Sequence, residues 1–152
     1  MSKDHIKILT VNKKARFNYF IEDEFEAGVV LKGTEVKSLR EGRINITDSY
    51  AAIKKGEVFI YQLHIGMYPF AHYGNHEPLR HRKLLLHKQE IKRLYGKVNE
   101  KGLSLIPLKV YFKGGKVKIS IGLAKGKKQH DKRETIKNRD AKRELDRMKK
   151  EY

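Results

Sequence analysis

Apolar and polar residues alternate along most of the chain up to Ala124, the period-2 signature of half-buried strands, and then the pattern stops. Ile6 to Val11 is a short apolar patch in an otherwise loose start. Arg16 to Ile21 (RFNYFI) is aromatic-rich with rough alternation and predicts a strand. An acidic run, Glu22, Asp23, Glu24 and Glu26, separates it from a second short strand at Val29 to Lys32. Thr34 is a favoured helix N-cap, and Glu35 falls in the first turn, where the helix dipole welcomes an anion. Val36 and Leu39 share one face, so a brief helix is predicted to close at Gly42.

Tyr50 to Ile53 and Val58 to Ile65 flank Lys54-Lys55-Gly56-Glu57, a hairpin signal with glycine available for positive φ. The second of these runs is apolar on both faces and predicts a central strand. Residues 66–79 carry two prolines, two glycines and three aromatics, which predicts a long loop of the kind that is often functional. From Lys88 the spacing Ile91, Leu94, Tyr95, Val98 predicts an amphipathic helix ending near Gly102. Leu103 to Phe112 and Lys116 to Leu123 form the clearest hairpin, turning at Lys113-Gly114-Gly115. On its return strand Val117, Ile119, Ile121 and Leu123 point one way and Lys116, Lys118, Ser120 and Gly122 the other. One face is therefore expected in the core and the other on a cationic surface.

The pattern breaks at Gly122 to Arg133, GLAKGKKQHDKR. Beyond it Asp131 and Glu134 make a passable capping box, and Ala141, Leu145, Met148 and Tyr152 form a thin apolar thread. That stripe is too narrow to bury a helix unaided, so the tail is expected to be disordered when free and helical against a charged partner. Short strands without βαβ alternation predict a mainly β chain: a small antiparallel barrel with about three helices. The body is expected over residues 1–124 and the basic tail over 125–152.

Charge narrows the partner class. The formal net charge is +17, divided as +11 on residues 1–124 and +6 on 125–152, so body and tail are both cationic. Such a surface points to a polyanion: nucleic acid first, an anionic membrane second. No segment approaches the roughly 20 apolar residues that span a bilayer. No apolar run follows the first charges, so no secretory signal is expected. The absence of cysteine excludes disulfides and thiolate metal sites. A cytoplasmic protein is expected.

Each candidate site has a blander reading beside it. Lys116 and Lys118 suit phosphate contacts, and a solvated lysine face fits the same pattern. Arg82 and Lys83, in the run Arg80 to Lys83, read either as RNA contacts anchored by Leu84-Leu85-Leu86 or as a soluble linker. Leu85 alone is more often core than contact, and its central place in the triple leucine does not decide its face. Glu26 repels phosphate; it can accept from a base or a 2′-hydroxyl, or simply pair with a lysine. His130, flanked by glycine and cations, favours stacking on a base. His72, His76 and His81 lack the pattern of a metal site, and Gly122 to Lys128 lacks the Ser/Thr of a nucleotide-binding loop. The acids around Glu24 have no nucleophile or tuning partner, so no enzyme activity, metal or cofactor is expected.

Asn12-Lys13-Lys14-Ala15-Arg16, Phe25-Glu26-Ala27-Gly28, Gly33 to Arg40 (GTEVKSLR), Arg82-Lys83-Leu84-Leu85-Leu86 and GLAKGKKQHDKR, in that order, resemble the SmpB family, the SsrA-binding proteins of bacterial trans-translation. The resemblance implies an OB-like barrel and a tail unstructured away from the ribosome. It also implies binding to the tRNA-like domain of transfer-messenger RNA (tmRNA), aminoacylation of that RNA by alanyl-tRNA synthetase, and travel with elongation factor Tu to stalled ribosomes. On that resemblance the barrel replaces the missing anticodon arm, and the tail occupies the empty mRNA channel. The family's tmRNA-binding positions fall on Asn12, Glu26, Leu85 and Lys116; Lys118, Arg82 and Lys83 join them from the charge pattern. Decoding-centre and channel positions fall on Lys125, Gly126, Lys127, Lys128, His130, Asp131, Lys132 and Arg133, with His130 stacked on a small-subunit rRNA base. His87 departs from the family, where a better-capping Asn is common. A monomer is expected. The alternative is a generic OB-fold RNA-binding or ribosome-assembly factor, which would stack bases on exposed barrel aromatics.

Overall fold

The computed structural model describes residues 5–150, so the first charges of the chain and the last residue of the apolar thread, Tyr152, lie outside it. Among the described residues there are nine strands and four helices. Five elements form the first half: β1 (Ile6–Val11), α1 (Ala15–Asn18), β2 (Tyr19–Val29), α2 (Gly33–Arg40) and β3 (Ile44–Asn45). Then come β4 (Tyr50–Lys54), β5 (Glu57–Tyr61), β6 (His64–Ile65), β7 (Arg82–Leu85), α3 (Lys88–Lys101), β8 (Ser104–Lys113), β9 (Lys116–Gly126) and α4 (Gln129–Lys150).

The main sheet runs β1-β8-β4-β5-β7-β2-β9, all neighbours antiparallel, and β9 pairs back onto β8. Six strands from β8 round to β9 thus form a closed ring, and β1 is added along the second half of β8. Closure removes the free edges that an open sheet would expose. Inside lie Ala27, Ile60, Leu84, Leu94, Ile119, Ile121 and Leu123, each 1% exposed or less. Among the described residues no helix is long and apolar enough to cross a membrane.

Both predicted hairpins form. Lys55 (φ +51°) and Gly56 (φ +75°) take the left-handed pair of angles that a two-residue turn matched to strand twist requires. The helix over Lys88–Lys101 buries Leu94 and closes at Gly102 (φ +62°).

Several boundaries moved, each for a local reason. RFNYFI is not one strand: Ala15–Asn18 make a helical turn whose Ala15 is buried, and β2 starts at Tyr19. The acidic run is the middle of that strand, because Phe25 and Ala27 face the core while Glu24 and Glu26 alternate outward. The expected strand at Val29 to Lys32 is only its end. Ile6 to Val11 is a paired strand rather than a loose start. Gln62 (φ +60°) breaks the long apolar run into β5 and β6. Thr34 does not cap α2: the N-cap is Lys32, two residues earlier, the Glu35 carboxylate accepts from the Lys32 amide at 2.7 Å, and the Thr34 hydroxyl turns to His76.

Ser120 and Gly122 keep the outward alternation of Lys116 and Lys118 but are buried, so they add no exposed surface to the cationic face. Ile106, Leu108, Ala15 and Ala124, with Tyr19 and Ile21, form a second small cluster outside the barrel wall. Gly122 belongs beneath it, since a Cβ there would stand 3.0 Å from Leu108 Cδ1 and 3.2 Å from Ile21 Cγ2.

The tail is a single helix, α4, whose Ile136, Leu145 and Met148 remain exposed. Its start differs from the expected capping box: the Asp131 carboxylate accepts from the Lys128 amide at 3.2 Å, so Asp131 works from inside the first turn.

Candidate nucleic-acid interface

The register of five strands gathers most of the predicted body residues on one outer face. Leu85 of β7 stands opposite Gly28 of β2, Gly28 opposite Lys118 of β9, Lys118 opposite Tyr111 of β8, and Tyr111 opposite Ile8 of β1. The neighbouring row holds Glu26, Ser120 and Lys109, and the row at the hairpin end holds Lys116 and Lys113. Because side chains alternate across a strand, the buried Ala27, Ile119, Leu84 and Val110 fix all of these outward. Asn12 sits at the end of β1, its side-chain amide donating to the Pro107 carbonyl at 3.0 Å.

Leu85 is 52% exposed, so it belongs to this surface and not to the core. Gly28 leaves room beside it: the Lys118 ammonium lies 3.8 Å from where a Gly28 Cβ would be. Glu26 is the face's only outward acid between these rows, and it is neither free nor simply lysine-paired. The Tyr111 hydroxyl donates to it at 2.5 Å, and Lys113 Nζ lies 3.3 Å away. The Tyr111 hydrogen bond, with Lys113 and Lys118 nearby, holds the Glu26 carboxyl below its usual range, although partial burial opposes this. Burial, and then the same carboxylate, push the Tyr111 hydroxyl above its ordinary value. Glu26 therefore stays an acceptor with lone pairs able to take a bond from an amino group or a hydroxyl, amid outward lysines.

Lys109, Tyr111 and Lys113 were missed as members of this face. The Lys109 ammonium lies 5.4 Å from the Tyr111 ring centroid. Their signal was present, since they alternate along β8 with the same period that marked Lys116 and Lys118.

Arg82 requires a correction. It is 0% exposed, because on β7 it shares the inward direction of Leu84. Its Nε donates to the buried Glu35 carboxylate, Nη1 to the Leu63 carbonyl at 2.7 Å and Nη2 to the Pro78 carbonyl at 3.1 Å. Arg80 joins the same carboxylate at 2.5 Å. Burial alone would raise the Glu35 carboxyl; hydrogen bonds from Arg80, the Lys32 amide and Arg82 outweigh it and hold it below the usual range. This is a structural ion cluster that pins the long loop, not an RNA contact. Lys83 does face outward, with its ammonium 3.0 Å from Glu57.

Of the histidines in this region, one is plainly structural. His76 is buried, with Nε2 2.8 Å from the Ile65 carbonyl and Nδ1 2.9 Å from the Thr34 hydroxyl. His81 packs edge-on against Tyr61, ring centroids 4.5 Å apart.

At the second predicted site β9 ends at Lys125 and Gly126, and α4 begins three residues later. Lys127 bridges the body and α4: its amide donates to the Asn18 carbonyl at 2.8 Å, and its ammonium to the Arg16 carbonyl at 3.0 Å and the Thr135 hydroxyl of α4 at 2.9 Å. Lys132 and Arg139 each stand 5.9 Å from the Phe17 ring centroid. Lys125, Lys128 and Arg133 are exposed. The His130 side chain is 76% exposed, its Nε2 3.4 Å from Asp131 Oδ1, so its ring faces are open for stacking.

A family model described as "SmpB protein" matches residues 9–151. The SsrA-binding protein of Syntrophobacter fumaroxidans is 61% identical over 144 residues, covering 95% of this chain and 89% of the relative. That of Acetivibrio thermocellus is 56% identical over 151 residues, covering 99% and 98%. That of Bacillus subtilis is 53% identical over 147 residues, covering 97% and 94%. A chain in a solved structure described by the words "tmRNA-SmpB: a journey to the center of the bacterial ribosome" superposes with a TM-score of 0.66 at 45% identity, covering 89% of this chain and 95% of that one.

Proposed function

The chain belongs to the SmpB family, and on that premise we propose that it binds the tRNA-like domain of tmRNA and delivers it to stalled ribosomes for rescue and peptide tagging. The observation that carries this reading is the outer face on which Glu26, Leu85, Lys116 and Lys118 meet across three paired strands, with Asn12 nearby. Lysine ammonium groups fix position on a folded RNA without reading sequence, while Glu26 and Leu85 supply a donor-seeking and an apolar contact to an opened base.

On this proposal Lys83 lies at the margin of the RNA-binding face, and the barrel takes the place of an anticodon arm. The stretch Lys125 to Arg133 enters the decoding centre, where His130 stacks on an rRNA base. Beyond it α4, with basic residues around most of its circumference, lies in the empty mRNA channel. Alanyl-tRNA synthetase and elongation factor Tu act on the same complex through the RNA. The protein works as a monomer in the cytoplasm and catalyses no reaction. A gel-shift comparison tests the central step: the tRNA-like domain should bind far more tightly than single-stranded RNA of matched length at the same salt. Equal affinity would favour a generic RNA-binding module and overturn the proposal.

A further inference from the structure

Away from the lysine face, α1, β4, α3 and the first half of β8 enclose a cavity of about 600 Å³. That volume lies inside the ~300–1,000 Å³ common to small-ligand sites. Of the residues placed on the RNA-binding face, Asn12 alone also lines it. Of the three tyrosines in its wall, Tyr50 and Tyr95 are the exposed ones, at 46% and 58%, while Tyr19 is half-buried. Tyr50 is held in place by stacking on Tyr61, with centroids 5.3 Å apart and planes at 20°.

The polar groups of the cavity divide into committed and free. Asn12 and Ser49 donate to the carbonyls of Pro107 and Ile46. Among the described residues, the side chains of Asn18, Asn99 and Asp48 make no hydrogen bond within the protein. Asp48 sits at φ +66°, a left-handed geometry that Asp tolerates better than most residues. Lys14 adds a cation to the wall.

We propose that this cavity receives one unstacked nucleobase of an RNA and prefers a base bearing an exocyclic amino group. A flat aromatic ligand stacks on an exposed tyrosine without needing a sequence. Side-chain amides can address an adenine edge from two sides, and a carboxylate accepts from an exocyclic amino group; uracil offers such a carboxylate only its single N3–H and presents a smaller ring to stack, so it is held less tightly. Lys14 is suited to the phosphate that follows the base. A purely apolar protein side chain would fit the volume but would desolvate Asn18, Asn99 and Asp48 without partners. The nucleotide must come from a loop or bulge, since a duplex cannot present a base this way. The inference goes beyond the reading above, which places RNA on a different face.

The test is amide NMR of the full chain titrated with adenosine 5′-monophosphate and, separately, uridine 5′-monophosphate at equal ionic strength. Adenosine monophosphate should shift the side-chain amides of Asn18 and Asn99 and the backbone amide of Asp48, with an affinity about fivefold above that for the uridine nucleotide. Tyr95→Ala removes an exposed ring, so the fold should survive; it should weaken adenosine binding by about fivefold or more. Asp48→Asn should erase the preference between the two nucleotides. Lys116→Ala should leave these titrations unchanged, which separates this site from the lysine face. Shifts confined to Lys109–Lys118, equal affinity for both nucleotides, no effect of Tyr95→Ala, or preferential binding of an acidic peptide at the same amides would each overturn the proposal.

Discussion

Replacing Arg82 separates a structural role from an RNA contact. In Arg82→Ala the Glu35 carboxylate keeps Arg80 but loses its fully buried partner, while the Leu63 carbonyl loses the Arg82 donor and the Pro78 carbonyl keeps only the Ile65 amide. Breaking a buried ion pair from one side costs about 3–5 kcal/mol. An abandoned buried carbonyl adds about 1–3 kcal/mol taken singly, but these costs overlap, so the lower figure is retained. For a chain of 152 residues a loss of ~3–5 kcal/mol lowers the melting temperature by roughly 10–15 °C. Urea and thermal unfolding by circular dichroism read this directly. A gel-shift well below the variant's melting point should give near-normal affinity for the tRNA-like domain. A variant that melts within about 2 °C of the parent yet loses RNA binding would refute the reasoning, because Arg82 would then act at the surface.

Further outcomes follow from neighbouring sites. Glu35 titrates below its unfolded value of about 4.3, so its contribution is fully present above that pH and lost as pH falls through the lowered folded value. Urea midpoints between pH 7 and pH 3 should show this loss, and Glu35→Gln should be weaker at neutral pH with a flatter acid limb. Gly122→Ala forces a methyl against the ends of Leu108 and Ile21, flexible side-chain atoms that can give way. It should cost about 1 kcal/mol, the low end of overpacking, read from a shifted urea midpoint. Tyr111→Phe removes the hydroxyl that holds Glu26 ionised; the Glu26 carboxyl should titrate at higher pH by NMR, and stability should fall by about 1 kcal/mol.

The residues themselves explain what could be read early and what could not. Turns with an obligatory backbone geometry were legible: Lys55-Gly56, Gly102 and Gly114-Gly115 stop their elements where glycine allows positive φ. The Lys116/Lys118 face was legible because period 2 is a local property. The acidic strand was not, since the Lys113 ammonium that pairs with Glu26 and the Ser120 hydroxyl that donates to Glu24 come from β8 and β9, more than 80 positions away in sequence. Arg82 was misread for a related reason. A charged residue in an exposed-looking run is buried only when a partner such as Glu35, 47 positions earlier, meets it, and spacing alone gives no sign of that meeting. Ser120 and Gly122 had the right alternation but the wrong environment, because α1 and Leu108 cover that end of the sheet. Helix α4 is rich in good helix formers, which local propensity favours even where no core covers them.

The division between an RNA-gripping barrel and a ribosome-seeking tail is tested most directly by ending the chain after Lys128. Affinity for the tRNA-like domain and peptide tagging on stalled ribosomes should be measured with the same preparation. The account predicts that RNA affinity persists while tagging disappears. Joint loss of both, with the barrel still folded by circular dichroism, would contradict it.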